Sequence, residues 1–337
     1  MILVTGATGL VGGHLLWHLL QQNITVTAIK RPSSNLEPLR KIFGFYTPHA
    51  DAFLRRIQWR IADVCDKKSL SDALSGIETV YHCAAVVSLG NAGNELIATN
   101  VNGTANIVNA SLKNNVKRFC FVSSIAACGH AEGEELINET TEIQKIENRA
   151  AYSRSKYYSE QEVWKGIRAG LNAVIVNPGV ILGFSGTDRG SSELFARVRK
   201  GLPFYTLGGS GYVDVQDVVK IMIELTNGTI VAERYILVAE NCSNKDILSW
   251  MADGYGKNRP SICINKKALL TIASISETLA KIFSFAPKLD RSMARSASNR
   301  AYYSNAKIIN ELKYHFNPIE KCIQEICDFD KKISLTC

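Results

Sequence analysis

The stretch VTGATGLVGGHLL, residues 4–16, carries a short apolar run into a helical pattern through Gly6, Gly9 and Gly12. A strand that ends in a G-x-x-G-x-x-G turn and restarts as a helix opens a βαβ unit. Each glycine answers a separate need. Gly6 permits the tight turn, Gly9 lets backbone approach a pyrophosphate, and Gly12 lets the helix lie close on the strand. The helix start offers unpaired N–H groups and the positive end of its dipole to phosphate. Thr8, Leu10 and Val11 share this loop and complete the expected cradle.

Outward from this loop, apolar runs at 2–5, 25–29, 57–62, 79–83, 118–123 and 173–177 read as strands. Helical patterns at 10–22, 69–74, 92–115 and 152–170 alternate with them. Such alternation predicts an α/β fold, a doubly wound parallel sheet of the Rossmann kind. Right-handed crossovers put all strand ends on one edge, where ligands bind. The alternation weakens after residue 180, and loops rich in Gly and Ser fill 183–211. ERYILVA, 233–239, reads as one more strand, followed by a helical tail. Residues 1–182 plus about 212–240 form the expected dinucleotide domain. Residues 183–211 plus 241–337 form a smaller, mostly helical substrate lobe. The stretch 37–60 receives no element.

The 337 residues exceed what one core usually serves, which agrees with a domain and a lobe. Apolar residues make up 46% and charged residues 21%, ordinary globular values. The net charge of +8 is scattered without a basic run, which argues against a nucleic-acid partner. It suits gathering an anionic cofactor or substrate. Nine cysteines without a C-x-x-C pair read as reduced thiols of a cytoplasmic protein, with Cys65, Cys83, Cys120 and Cys128 as packing residues. The histidines form no metal-binding spacing, so no metal is expected. The chain starts directly with a strand, leaving no signal peptide, and no run is long enough for an integral membrane segment. Residues 265–286 are amphipathic and read as core, lid or a membrane-surface contact.

The end of the second strand selects the cofactor. An NAD site usually places Asp or Glu there to bind the ribose 2′-hydroxyl. TVTAIKRPSS has Lys30 and Arg31 instead. A guanidinium clamps a 2′-phosphate with paired hydrogen bonds, so NADP(H) is expected over NAD(H). In ADVCD, 62–66, Asp63 either accepts from the adenine amino group or caps the next helix.

FVSSIAACGH, 121–130, brings hydroxyls to the ligand edge. AYSRSKYYSE, 151–160, sets Tyr152 one helical turn before Lys156 on the same face. A nearby ammonium favours phenolate and lowers a tyrosine pKa that otherwise lies near 10. The spacing therefore suits an acid/base beside a hydride carrier. His82 and Trp164 read as packing residues, and Glu160 with Glu162 as a solvated face.

TGATGLVG (5–12), ADV (62–64), YHCAA (81–85), NVNGT (100–104), VSSIAACG (122–129), YSRSK (152–156) and NPGVILG (177–183) occur in one order. In that order they resemble the extended short-chain dehydrogenase/reductase family, of the epimerase/dehydratase type. VNPGVILG and Arg31 look most like its dihydroflavonol-reductase-like branch. The resemblance implies that Tyr152 is the acid/base and that Lys156 tunes it and binds ribose. It implies that Ser124, with Ser123 as rival, orients the substrate carbonyl, and that Asn100 supports the active-site helix. It places Asp63, Val64, Ala84, Ala85, Pro178 and Val180 against the cofactor. A reductase of a ketone or aldehyde on a small organic substrate is expected, in a possible homodimer. The alternative is a nucleotide-sugar epimerase with tightly bound cofactor. Ile125 and Ala126 stand where the family's 4,6-dehydratases carry an Asp-Glu pair, and Cys128 where epimerases often carry tyrosine. Arg189, Phe204 and Tyr205 are candidates to touch substrate, and Asp217 to cap or pack.

Overall fold

The structure, a computed structural model, describes residues 1–87, 93–129, 135–187, 190–282 and 291–335. Its first half alternates as the sequence predicts: β1 (Ile2–Thr5), α1 (Leu10–Gln21), β2 (Val26–Lys30), α2 (Glu37–Tyr46), α3 (Ala50–Leu54), β3 (Gln58–Ile61), α4 (Lys67–Ala73), β4 (Thr79–His82), α5 (Gly93–Lys113), β5 (Arg118–Val122), α6 (Ala151–Arg168) and β6 (Ala173–Pro178). There follow β7 (Val180–Leu182), α7 (Ser191–Arg199), β8 (Phe204–Thr206), β9 (Gly209–Asp214), α8 (Val215–Asn227) and β10 (Glu233–Leu237). The tail holds β11 (Glu240–Ser243), α9 (Asn244–Gly254), β12 (Ile262–Ile264), α10 (Lys266–Ile282), α11 (Arg291–Ser298), α12 (Ala306–Leu312) and α13 (Ile319–Leu335).

The main sheet has seven strands in the order β10-β6-β5-β4-β1-β2-β3, and every neighbouring pair is parallel. The strand order reverses beside β1, whose Ile2 pairs with Val26 on one side and Thr79 on the other. A crevice opens at such a reversal, at the carboxyl ends of the strands. On one face Leu15, Leu16 and Leu19 of α1 pack with Val218, Ile221 and Met222 of α8. On the other, Leu70, Ile107, Val108 and Val163 cover the sheet from α4, α5 and α6. Leu182, Phe195, Tyr212, Met251 and Ile323 build a separate core, the lobe core, to which β7 and β9 contribute from within the ranges expected for the dinucleotide domain. Ile308 of α12 is buried in the first core, and Tyr314 and Phe316 pack against it.

Two stretches differ from the sequence reading. Residues 37–54 of the stretch 37–60 fold into α2 and α3, because Leu39, Ile42 and Phe43 bury in the first core and Phe43 and Phe53 meet Trp17 of α1. Residues 183–211 are not loop throughout; Phe195 and Val198 draw α7 onto the lobe core. Among the described residues no helix is long and apolar enough to cross a membrane. Residues 283–286 of the amphipathic stretch, Ala92 and Arg189 lie outside the described residues.

Candidate active site

The glycine loop fits a pyrophosphate. Gly6 adopts φ +65°, and Gly9 N–H bonds the Gly6 carbonyl at 3.0 Å. A Cβ on Gly12 would lie 2.3 Å from that same carbonyl oxygen, and one on Gly6 would lie 2.6 Å from Ala84 N. The loop therefore accepts only glycine at these two positions. Helix α1 begins after Gly9 with no side-chain cap and no acid in its first turn. Its first N–H groups, those of Leu10, Val11 and Gly12, have no acceptor within the helix, and point as an anion site requires. Thr8 stands partly exposed on the same turn. Thr5 Oγ1 accepts from Ala84 N at 3.1 Å and contacts His82 Nδ1 at 2.7 Å, which ties β1 to the end of β4. His82 is buried and also meets Thr104, as a satisfied core residue. Beyond it Ala84 is partly buried and Ala85 exposed.

At the end of β2, Lys30 Nζ lies 5.3 Å over the Trp59 ring, whereas Arg31 is exposed. The Arg31 N–H donates to Ser34 Oγ at 3.0 Å, which turns the chain there. Burial and the Asp63 carboxylate raise the Cys65 thiol, and the Arg31 guanidinium lowers it. Asp63 does not cap the next helix. Its Oδ1 accepts Cys65 N–H at 2.9 Å, and Asp66 caps α4 through the N–H groups of Lys68 and Ser69. Cys65 is exposed rather than packed, because it lies on this turn and not in the strand. Val64 O accepts from Asn106 at 3.0 Å.

Ser124 follows β5 in extended conformation and accepts Ala126 N–H at 3.1 Å. Its hydroxyl faces the Tyr152 phenol on the first turn of α6. Ser123 points the other way and donates to Glu160 at 3.0 Å. Lys156 is 4% exposed. Its Nζ donates to Val122 O at 2.9 Å and lies 5.5 Å over the Phe121 ring. Burial pulls its pKa down to about 8, against the attraction of Cys83 and Glu160. Burial raises the Tyr152 phenol, and the Ser124 bond draws it back. The phenol thus stands above its ordinary range, where the sequence reading expects it lowered, and burial is the cause.

Asn100 clamps the site from α5. It accepts Val86 N–H at 2.7 Å, donates to Val86 O at 3.0 Å, and donates to Ser155 Oγ at 3.1 Å. Pro178 closes β6 beside Leu237, and Val180, 38% exposed, opens β7. The sequence reading singles out neither Ser155 nor Asn177, although both sit inside its motifs. Asn177 donates to Ser124 O at 3.0 Å.

Glu160 is not on a solvated face. It is 1% exposed and faces Ser123, Asn177 and Arg234. Its position on α6 aims it under the sheet, and no local signal in the sequence marks that. Glu162 does reach the surface, paired with Lys165 at 2.6 Å. Asp217 packs, accepting from Tyr314 OH and Asn317 N, while Asp214 caps α8. Trp164 packs against the α5–α6 core. Phe204 is exposed, and Tyr205 lies partly buried against the lobe core.

Residues 2–232 match the NAD-dependent epimerase/dehydratase family. A protein of Synechocystis sp. with the provisional name dihydroflavonol 4-reductase is 28% identical over 96% of this chain and 92% of its own. Sterol demethylase protein B of Methylococcus capsulatus is 31% identical over 83% of this chain and 82% of its own. The crystal structure of gox2253 superposes with a TM-score of 0.82 at 27% identity, covering 99% of this chain and 98% of that one.

Proposed function

The chain belongs to the NAD-dependent epimerase/dehydratase family, an extended short-chain dehydrogenase/reductase, and from that premise we propose that it reduces a ketone or aldehyde of a small organic substrate with NADPH. The observation that carries this reading is that the strand-end Ser124 hydroxyl and the Tyr152 phenol meet at the ligand edge, with the buried Lys156 ammonium one turn away. NADPH, when bound, supplies the hydride. Ser124 orients the carbonyl oxygen, and Tyr152 gives that oxygen its proton from the phenol. Lys156 holds ribose with the N–H bonds that Val122 leaves over. Asn100, through Ser155, fixes the turn of α6 that carries both. Arg31, exposed at the end of β2, takes the 2′-phosphate, with Asp63 at the adenine end. Pro178, Val180, Ala84 and Ala85 flank the nicotinamide and ribose. Phe204 and Tyr205, in the lobe, face the substrate, and residues 1–182 with 212–240 serve the cofactor.

The reading is tested by incubating the purified protein with NADPH and a panel of ketones and aldehydes and following absorbance loss. Net consumption of NADPH with formation of an alcohol is expected. A protein that purifies with its cofactor bound, consumes none, and inverts a nucleotide sugar would be an epimerase, and the reading would fall.

A further inference from the structure

Glu160 has no part in the chemistry above, yet it is a carboxylate buried directly behind it. Its Oε2 accepts from Ser123 Oγ at 3.0 Å and from Asn177 Nδ2 at 3.2 Å. The Asn177 amide uses its other N–H on the Ser124 carbonyl. Oε1 has no hydrogen bond and lies 3.6 Å from Arg234 Nη1. Arg234 is itself held by two bonds to the Glu139 carbonyl. The carboxylate therefore meets donors and a guanidinium. Burial raises the Glu160 carboxyl, and the Arg234 guanidinium with the Asn177 and Ser123 hydrogen bonds draws it back toward the carboxylate.

Glu160 also lies four residues after Lys156, one turn along the same helix face. The other groups facing Lys156 are the Val122 carbonyl, the Phe121 ring, His82 and Cys83. Burial drives His82 down to about 3 and pushes the Cys83 thiol up, so both stay neutral near pH 7. The groups facing Glu160 itself are Arg234 from β10, Lys156 from α6 and the Cys128 thiol after β5. Burial pushes Cys128 up to about 12, so it too is neutral. Glu160 is thus the anion that faces Lys156 among the described residues.

Resting on the reductase reading for its functional meaning, we infer that Glu160 is a positioning residue of the active site: its buried carboxylate holds Ser124 through Asn177 and supplies the negative charge that keeps Lys156 an ammonium. A buried amine without such a partner gives up its proton more readily. Loss of the ammonium would remove charge-assisted bonds to ribose. A merely structural glutamate would support the helix and leave the titration of Lys156 where it was.

The test reads Lys156 directly in the full-length protein, with no substrate. In protein carrying ¹³C-lysine, the Lys156 side-chain resonance is assigned by its disappearance in Lys156→Arg and followed against pH. Glu160→Gln should lower the Lys156 midpoint by about one pH unit or more, and Glu160→Asp, which keeps the charge, should hold it near the parent. An unmoved midpoint in Glu160→Gln overturns the inference. If Glu160→Gln does not fold, the parent carries the test. With ¹³C-glutamate added, the Lys156 resonance should inflect a second time where the Glu160 carboxyl titrates, and its absence overturns the inference. The NADPH assay stands apart from this. A reductase whose Lys156 ignores Glu160 sinks only the inference, and a coupled pair in a protein that consumes no NADPH sinks only the reductase reading.

Discussion

Replacing Tyr152 by Phe removes one oxygen and leaves the ring to pack. The fold and NADPH binding should survive, and turnover on a found carbonyl substrate should drop by about 10²–10⁴-fold; near-parental turnover would show that the phenol transfers no proton. The alkaline limb belongs to a different group. Burial pulls Lys156 down to about 8, below the Tyr152 phenol, which burial raises. Its ammonium is complete below that pH and lost above it. NADPH affinity, measured by fluorescence, should therefore weaken as pH rises through about 8, and Lys156→Met should show weak binding without that step. At the other end of the cofactor, Arg31→Ala should remove the preference for NADPH over NADH, worth about 1.5–3 kcal/mol for a charge-assisted clamp. Equal affinities in the parent would refute the assignment of Arg31.

The turn between β1 and α1 separates two demands on glycine. At Gly9, φ is −89° and an added Cβ would meet only Gly6 O at 3.3 Å. At Gly12 the added Cβ would meet backbone at 2.3 Å. Gly9→Ala should therefore melt near the parent temperature and lose NADPH affinity, whereas Gly12→Ala should lose thermal stability as well. Equal melting losses in the two variants would contradict the geometry. This turn was legible in the sequence because its constraint is local: steric limits fix glycine within seven residues. The order Ser124, Tyr152, Lys156 was legible for the same reason, each sitting at a strand end or on one helix turn. Helices α2 and α3 were not, because their apolar residues answer to Trp17 on α1. Glu160 was misread because its neighbour Arg234 arrives from a strand far along the chain. Lys156 was placed correctly on its face, but the Val122 carbonyl that holds it belongs to another element.

Across the whole molecule, the chain leaves the sheet after β6 and comes back to it at β10. Arg118 of β5 fastens the return. Its guanidinium donates to the carbonyls of Leu225, Thr226 and Ile230 at 2.8, 2.9 and 2.7 Å. Those carbonyls end α8 and lead into β10. Arg118→Ala leaves them short of donors, at about 1–3 kcal/mol for each buried group left unpaired. Chemical denaturation should show a loss of several kcal/mol, while NADPH affinity below the transition stays near the parent, since the cradle lies at the opposite ends of the strands. A loss of affinity without loss of stability would mean that Arg118 serves the site instead.

The late arrival of β10 also sets a schedule for biosynthesis. Arg234 leaves the ribosome some seventy residues after Glu160, an interval of about 4–15 s at roughly 5–20 residues per second. During that time α1 to β6 can collapse, but the carboxylate on α6 still lacks its guanidinium. The newborn chain would hold its nucleotide cradle before its reaction centre is ordered, and a nascent chain halted before residue 234 should capture cofactor without turning over.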